Sequence, residues 1–137
     1  MDVNDTRSRN MAAIKSKDTL PERLVRSILH RAGFRFRKND PRLPGTPDIH
    51  LPKWKCVIFV NGCFWHRHQN CRYTTTPKSN IEFWEKKFRA NVERDARKYS
   101  VLAAQGVRVI IIWECELNGS IEHLQKQLMD QITNPAE

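Results

Sequence analysis

The sequence predicts a mixed α/β fold, a sheet flanked by helices. Three observations carry that expectation. Apolar residues recur at helical spacing in three separate stretches. Short strand-like runs separate them, and one, Val107 to Trp113, is nearly continuous β-branched sequence of the kind buried as a central strand. The resulting order, α-β-β-β-α-β-α, interleaves the two element types, so helices laid on a mixed sheet bury every apolar face.

The first helix begins at Thr19. Thr19 and Glu22 have the spacing of a capping box, and Pro21 is tolerated in a first turn. Leu24, Val25, Ile28, Leu29 and Ala32 share one face, and Gly33 ends the helix. Phe34 to Arg37 alternates apolar and basic, as a half-exposed strand does. Asn39 to Pro47 contains three prolines and a glycine and reads as a loop. A short strand from Asp48 to Leu51, a turn at Pro52-Lys53-Trp54 and a buried strand from Cys56 to Val60 follow. A long helix runs from about Asn80 to Gln105 and stops at Gly106, with Trp84, Phe88, Val92, Asp95, Tyr99 and Leu102 as its inward stripe. Ser120 caps a last helix bearing Ile121, Leu124, Leu128 and Ile132.

At 137 residues and 39% hydrophobic, the chain can fill one core, and with no repeats or linkers it reads as a single domain over residues 1–137. Residues 1–18 form a basic N-terminal arm, with Met11 and Ile14 at helical spacing, and 61–79 an irregular loop dense in Cys, His and aromatics. Lys and Arg number 24 against 15 acids, a net charge of +9, which favours a polyanion such as DNA. Arg7, Arg9, Lys15 and Lys17 in the arm are candidate DNA contacts. No apolar run approaches the roughly 20 residues of a bilayer span, and the opening MDVNDTRSRN has no apolar segment behind its charges. A cytoplasmic protein with no membrane partner is expected. In such a reducing compartment, four cysteines are more often metal ligands than disulfides.

Three potential ligands crowd together as Cys63-x4-His68-x2-Cys71, and Cys115 arrives from the end of the last strand. That Cys3His set suits a closed structural zinc tetrahedron. Cys56 sits mid-strand and reads as an ordinary buried thiol. Asp48 follows Pro47 at the mouth of a strand; the pair is either a common turn or a hard-cation ligand beside the strand that delivers Val60, Asn61 and then His66. Asp95 interrupts an apolar stripe, where an unpaired carboxylate is costly, so it needs a cation, an imidazole N–H, backbone donors or a structural arginine. His66 is surplus to a four-ligand zinc site, and an imidazole near a metal-bound water suits a general base. Glu22 is explained by its cap, although it lies at the edge of the apolar face. Phe64 and Trp65, and more ambiguously Trp84, suit stacking on bases or wedging between them.

Taken together, TRSRNMAAIKSKDT, LPGTPDI, CVIFVNGCFWHRH, EFWEKKFRANVERD and IIIWEC resemble the very-short-patch repair (Vsr) DNA mismatch endonucleases, in the family's order and to about Leu117. The resemblance implies a restriction-endonuclease-like α/β fold, a Mg²⁺-dependent nick beside a T:G mispair and a structural Zn²⁺. It implies Asp48 and the Val60 carbonyl as Mg²⁺ ligands, His66 as catalytic histidine, Asp95 as its supporting acid and Glu22 as the helix acid near the metal. Cys63, His68, Cys71 and Cys115 match the zinc ligands, and Phe64, Trp65 and Trp84 the intercalating aromatics. Two departures stand out. Asn61 replaces a histidine before GCFW, so that position hydrogen-bonds but carries no proton at neutral pH. The His68–Cys71 spacing is also one residue longer than the family type. The expected partner is mismatched double-stranded DNA, bound by a monomer in a bacterial-type, nucleoid-associated setting. The rival readings are a restriction-type or broader mismatch nuclease, a zinc-stabilised DNA-binding module without turnover, and a histidine-metal finger nuclease.

Overall fold

The computed structural model describes residues 18–134. The arm residues Arg7, Arg9, Lys15 and Lys17, with Met11 and Ile14, lie outside the described residues. The elements are α1 (Leu20–Arg31), β1 (Arg37–Lys38), β2 (Ile49–Leu51), β3 (Cys56–Asn61), α2 (Ile81–Ala104), β4 (Arg108–Trp113) and α3 (Ile121–Thr133). Short 3-10 turns cover Pro52–Trp54 and Glu114–Asn118. Strand order in the sheet follows chain order. β1 and β3 flank β2 antiparallel, and β3 pairs with β4 in parallel across the α2 crossover. The predicted mixed sheet flanked by helices is the fold observed.

Alternation along the strands divides the interior into two layers. Cys56 and Ile58 of β3, with Ile110 and Ile112 of β4, face α1 and α3 and meet Val25, Ile28, Leu29, Leu124, Leu128 and Ile132. Val57 and Phe59 face the other way and meet Leu102 and Tyr99 of α2. A strand buried on both faces must be apolar at consecutive positions, as CVIFV is.

The helix boundaries follow their caps. The Thr19 main-chain N–H donates to Glu22 Oε2 (2.6 Å), and Glu22 N–H donates to Thr19 Oγ1 (3.4 Å). Ser120 Oγ accepts from His123 N–H. At the end of α1, Gly33 N–H donates to His30 O and Phe34 N–H to Leu29 O, with Gly33 at φ +90°. This Schellman reversal corrects the sequence reading of Phe34 to Arg37 as a strand. Phe34 is spent closing the helix, and pairing begins only at Arg37, opposite His50. A second correction concerns α2. Val92 is exposed, and Asn91 takes its place in the inward stripe, because the step from Phe88 is three residues and the next, to Asp95, is four.

Candidate active site and metal centre

Parallel strands leave a crevice beyond their carboxyl ends, where loops diverge. Here β3 ends at Asn61 opposite Trp113, the last residue of β4. A cavity of about 1100 Å³ opens there, its walls including Glu22, Asp48, Val60, Asn61, Trp65, His66 and Lys98. Elements distant in sequence thus deliver the acid of α1, the strand-mouth aspartate and the imidazole to one space.

The loop before β2 is held rigidly enough to place Asp48. Asp40 is buried and accepts from Arg42 N–H (3.0 Å), Arg42 Nη2 (2.9 Å) and His50 Nδ1 (2.9 Å). The Arg42 guanidinium, then His50, holds the Asp40 carboxyl well below the usual carboxylate range. At the far end of the loop, Asp48 O accepts from Asn39 N–H. Sequence reading gave no sign of this clamp, whose partners are spread over a turn and a strand.

Asp48 Oδ2 accepts from the Val60 N–H at 2.7 Å, which fastens it across to β3. Glu22, only 2% exposed, brings a second carboxyl within hydrogen-bonding reach. Burial, and then Glu22, push the Asp48 carboxyl up to about 8, although the Val60 N–H and Lys98 oppose the shift. A cation placed between the two carboxyls would offset the cost of charging Asp48 there. Oxygen donors from two carboxyls, with a main-chain carbonyl at Val60 alongside, fit a hard divalent ion. Glu22 keeps its capping bond to Thr19 in this arrangement.

His66 and Asp95 are paired, with Nδ1 2.5 Å from Oδ2. Of the partners left open for Asp95, the imidazole is the one that meets it, joined by Lys98 Nζ at 3.4 Å. Burial resists ionisation of Asp95, but His66 and then Lys98 outweigh it and lower its pKa. A carboxylate on Nδ1 fixes the tautomer and leaves Nε2 as the nitrogen for reaction. Asn61, 4% exposed, donates from Nδ2 to Tyr99 Oη at 2.9 Å. Burial pushes the Tyr99 phenol up to about 12, so it stays protonated.

Ligand atoms of Cys63, His68, Cys71 and Cys115 all lie within 4.8 Å of one another. Three sulfurs and an imidazole this close form the donor set of a closed structural zinc site, and all four cysteines of the chain are free thiols. Burial pushes the Cys63 thiol up to about 12. At Cys71 burial also opposes ionisation, but hydrogen bonds from the Tyr73 main chain, His68 and the other thiols bring it down to about 7. The His68 ring stacks on Trp113, 4.1 Å between centroids. Cys56 is buried in the core, as expected of a structural thiol.

Beside the cavity stands an aromatic cluster. Phe64 packs against Trp65 (5.1 Å), Trp84 (5.8 Å) and Phe88 (5.2 Å), and Trp65 meets Trp84 at 6.0 Å. Phe64, Trp65 and Trp84 are half-buried, so each keeps a face outside the core. Arg67, unnoticed in the sequence, braces them. Its guanidinium lies 4.0 Å from the Phe88 centroid and donates to Thr75 O and Thr76 Oγ1. Asn91 Nδ2 donates to Trp65 O, tying the loop to α2.

Residues 1–72 match the family model for the DNA mismatch endonuclease Vsr. The chain is 48% identical over 122 residues to the type II nicking enzyme V.XorIIP of Xanthomonas oryzae, covering 88% of this chain and 89% of that one. It is 50% identical over 111 residues to the type II nicking enzyme V.NmeAIP of Neisseria meningitidis, with 81% and 79% covered. Over 133 residues it is 44% identical to the DNA mismatch endonuclease Vsr of Escherichia coli, with 96% and 85% covered.

Proposed function

The chain belongs to the Vsr family of DNA mismatch endonucleases and is a DNA endonuclease, and from that premise we propose that it nicks one strand beside a T:G mispair in very-short-patch repair. The observation that carries the chemistry is the meeting, in one cavity, of the Asp48–Glu22 carboxyl pair and the His66–Asp95 pair.

Asp48, with Glu22 and the Val60 carbonyl, would hold a magnesium ion. When bound, such an ion supplies positive charge to the scissile phosphate and the departing oxygen. The chain's own residues do the rest. Asp95 holds His66 through Nδ1, so Nε2 accepts the proton of the attacking water. Asn61, fixed by Tyr99, lines the cavity and orients water without carrying a proton. Phe64, Trp65 and Trp84 wedge into the duplex where a mispair is easiest to unstack, which supplies part of the selectivity. The Cys3His cluster would hold zinc and so fasten that wedge, through Cys115, to the turn that follows β4. The basic arm grips the backbone, and a single asymmetric lesion calls for one copy of the chain.

Relatives named both as mismatch endonuclease and as type II nicking enzymes make cleavage of an intact recognition sequence the second reading. End-labelled duplexes carrying each mispair, and their matched counterparts, separate the two. With Mg²⁺, a nick confined to one strand of the T:G duplex supports the proposal. Equal cutting of matched DNA overturns it. Among the described residues, no helix is long and apolar enough to cross a membrane.

A further inference from the structure

Lys98 stands inside the candidate active site with no part in the chemistry above. It follows Asp95 by one helical turn and lines the same cavity as Asp48 and His66. Long lysine side chains on a helix usually reach into water, yet this one is only 23% exposed. Two surfaces confine it. Its ammonium lies 5.0 Å from the Phe59 ring centroid. Its stem lies against Gly45, where an added Cβ would stand 2.5 Å from Lys98 Cδ and 2.8 Å from Cγ. Gly45 therefore keeps open the channel that the stem occupies.

The ammonium has three N–H donors. Its carboxylate partner, Asp95 Oδ1, is 3.4 Å away, longer than the roughly 2.7–2.9 Å of a tight charge-assisted hydrogen bond. A lysine serving only as counter-ion to Asp95 would close that gap. This one is held back, near enough to Asp48 to favour the charged form of that carboxyl as well. It is a cation with donors to spare, in a space whose substrate is an anionic phosphodiester.

Resting on the catalytic reading above, we propose that Lys98 is a phosphate-binding residue that contacts a non-bridging oxygen of the scissile phosphodiester, its side chain held in place by Gly45 and Phe59. The contact adds a positive charge from the α2 side of the cavity.

The test is a binding comparison in magnesium-free buffer, independent of turnover. The nick is first mapped on whichever duplex the wild type cuts, and a second duplex is made with a neutral methylphosphonate at that phosphate. Wild type should bind the methylphosphonate duplex roughly tenfold more weakly. Lys98→Met, which keeps the aliphatic stem, should bind both duplexes alike, and its log–log salt slope on normal DNA should be shallower by about 1. If Lys98→Met discriminates between the duplexes as wild type does, with an unchanged salt slope, the phosphate contact is wrong and Lys98 serves Asp95 alone. Thermal melting verifies the fold of the variant. Should Lys98→Met not fold, Gly45→Ala, which displaces the stem and keeps the charge, carries the same comparison. A failure of the catalytic reading shows separately, as undiminished nicking by His66→Ala, and leaves the binding data readable.

Discussion

Two sets of metal-type donors share one end of the sheet, and they are built to opposite plans. The Cys63, His68, Cys71 and Cys115 set brings four ligand atoms within 4.8 Å of one another, the number a closed tetrahedral site uses. The Asp48–Glu22 set is open, two carboxyls on the wall of a cavity of about 1100 Å³. Closure makes the first a folding element for a loop with little apolar content of its own. Openness leaves the second with a carboxyl that burial and then Glu22 push up, a cost that a bound cation would offset. The difference teaches where stability and chemistry have been separated, although Cys63 and His66 are only three residues apart.

The comparison is broken most severely by removing the open site's reactive groups. Asp48→Ala and His66→Ala are each expected to lower the nicking rate by about 10⁴-fold at saturating Mg²⁺, while mismatch binding survives. Rapid-quench nicking and a gel-shift titration check this. Unchanged nicking by His66→Ala would remove the base assignment.

Next in size is loss of the closed site. Cys63→Ser should abolish stoichiometric zinc, measured by atomic absorption, and cost about 4 kcal/mol of stability in urea unfolding. The two packed clusters of the sheet core, which contain none of the four ligands, should still melt cooperatively. A wild-type protein that purifies without zinc and keeps full stability would contradict the plan.

The sharpest contrast comes from pH. The folded carboxyl of Asp48 sits near 8 against 3.8 for the ordinary group. The native state therefore binds more protons than the unfolded chain between those values, and stability should fall as pH rises from about 4 to 8. Asp40 and Asp95 are shifted downward, so their contributions are lost only below about pH 4, outside that window. Asp48→Asn should remove most of the decline, leaving the smaller part due to Glu116, whose carboxyl burial also pushes up. It should make the metal-free protein more stable than wild type at pH 8 while abolishing nicking. Denaturant melts across the range test it; a decline as steep in Asp48→Asn as in wild type would assign the effect elsewhere.

The smallest effect belongs to the wedge. Trp65→Ala should reduce discrimination between T:G and matched duplexes by about tenfold, the value of roughly one stacking contact. Equal loss of affinity for both duplexes would make Trp65 a general DNA contact instead.

How legible all this was depends on how local each feature is. The α1 capping box and the Ser120 cap follow from residues three apart, and both form as the spacing implies. Three zinc-type ligands lie within nine positions, so their convergence could be read, and Cys115 follows from the direction of β4. Asp95 betrayed itself as a charge in an apolar stripe. Lys98 did not, because a lysine on a basic helix reads as solvent-facing; its only signal was the three-residue step from Asp95. The Asn61–Tyr99 bond joins residues 38 apart, and the Asp40–His50 bond crosses from a loop to a strand, so neither leaves a periodic trace. Phe34 misled because its alternation with arginine outweighed the reversal demanded by Gly33.

Central to the whole account is a divalent ion shared by the strand-mouth aspartate and the acid of α1, within reach of the imidazole. A crystal soaked in Mn²⁺, measured for anomalous scattering, tests it most directly. The predicted result is a peak bonded to Asp48 and the Val60 carbonyl, on the side of the cavity that His66 lines. A peak elsewhere, with none at Asp48, would contradict it.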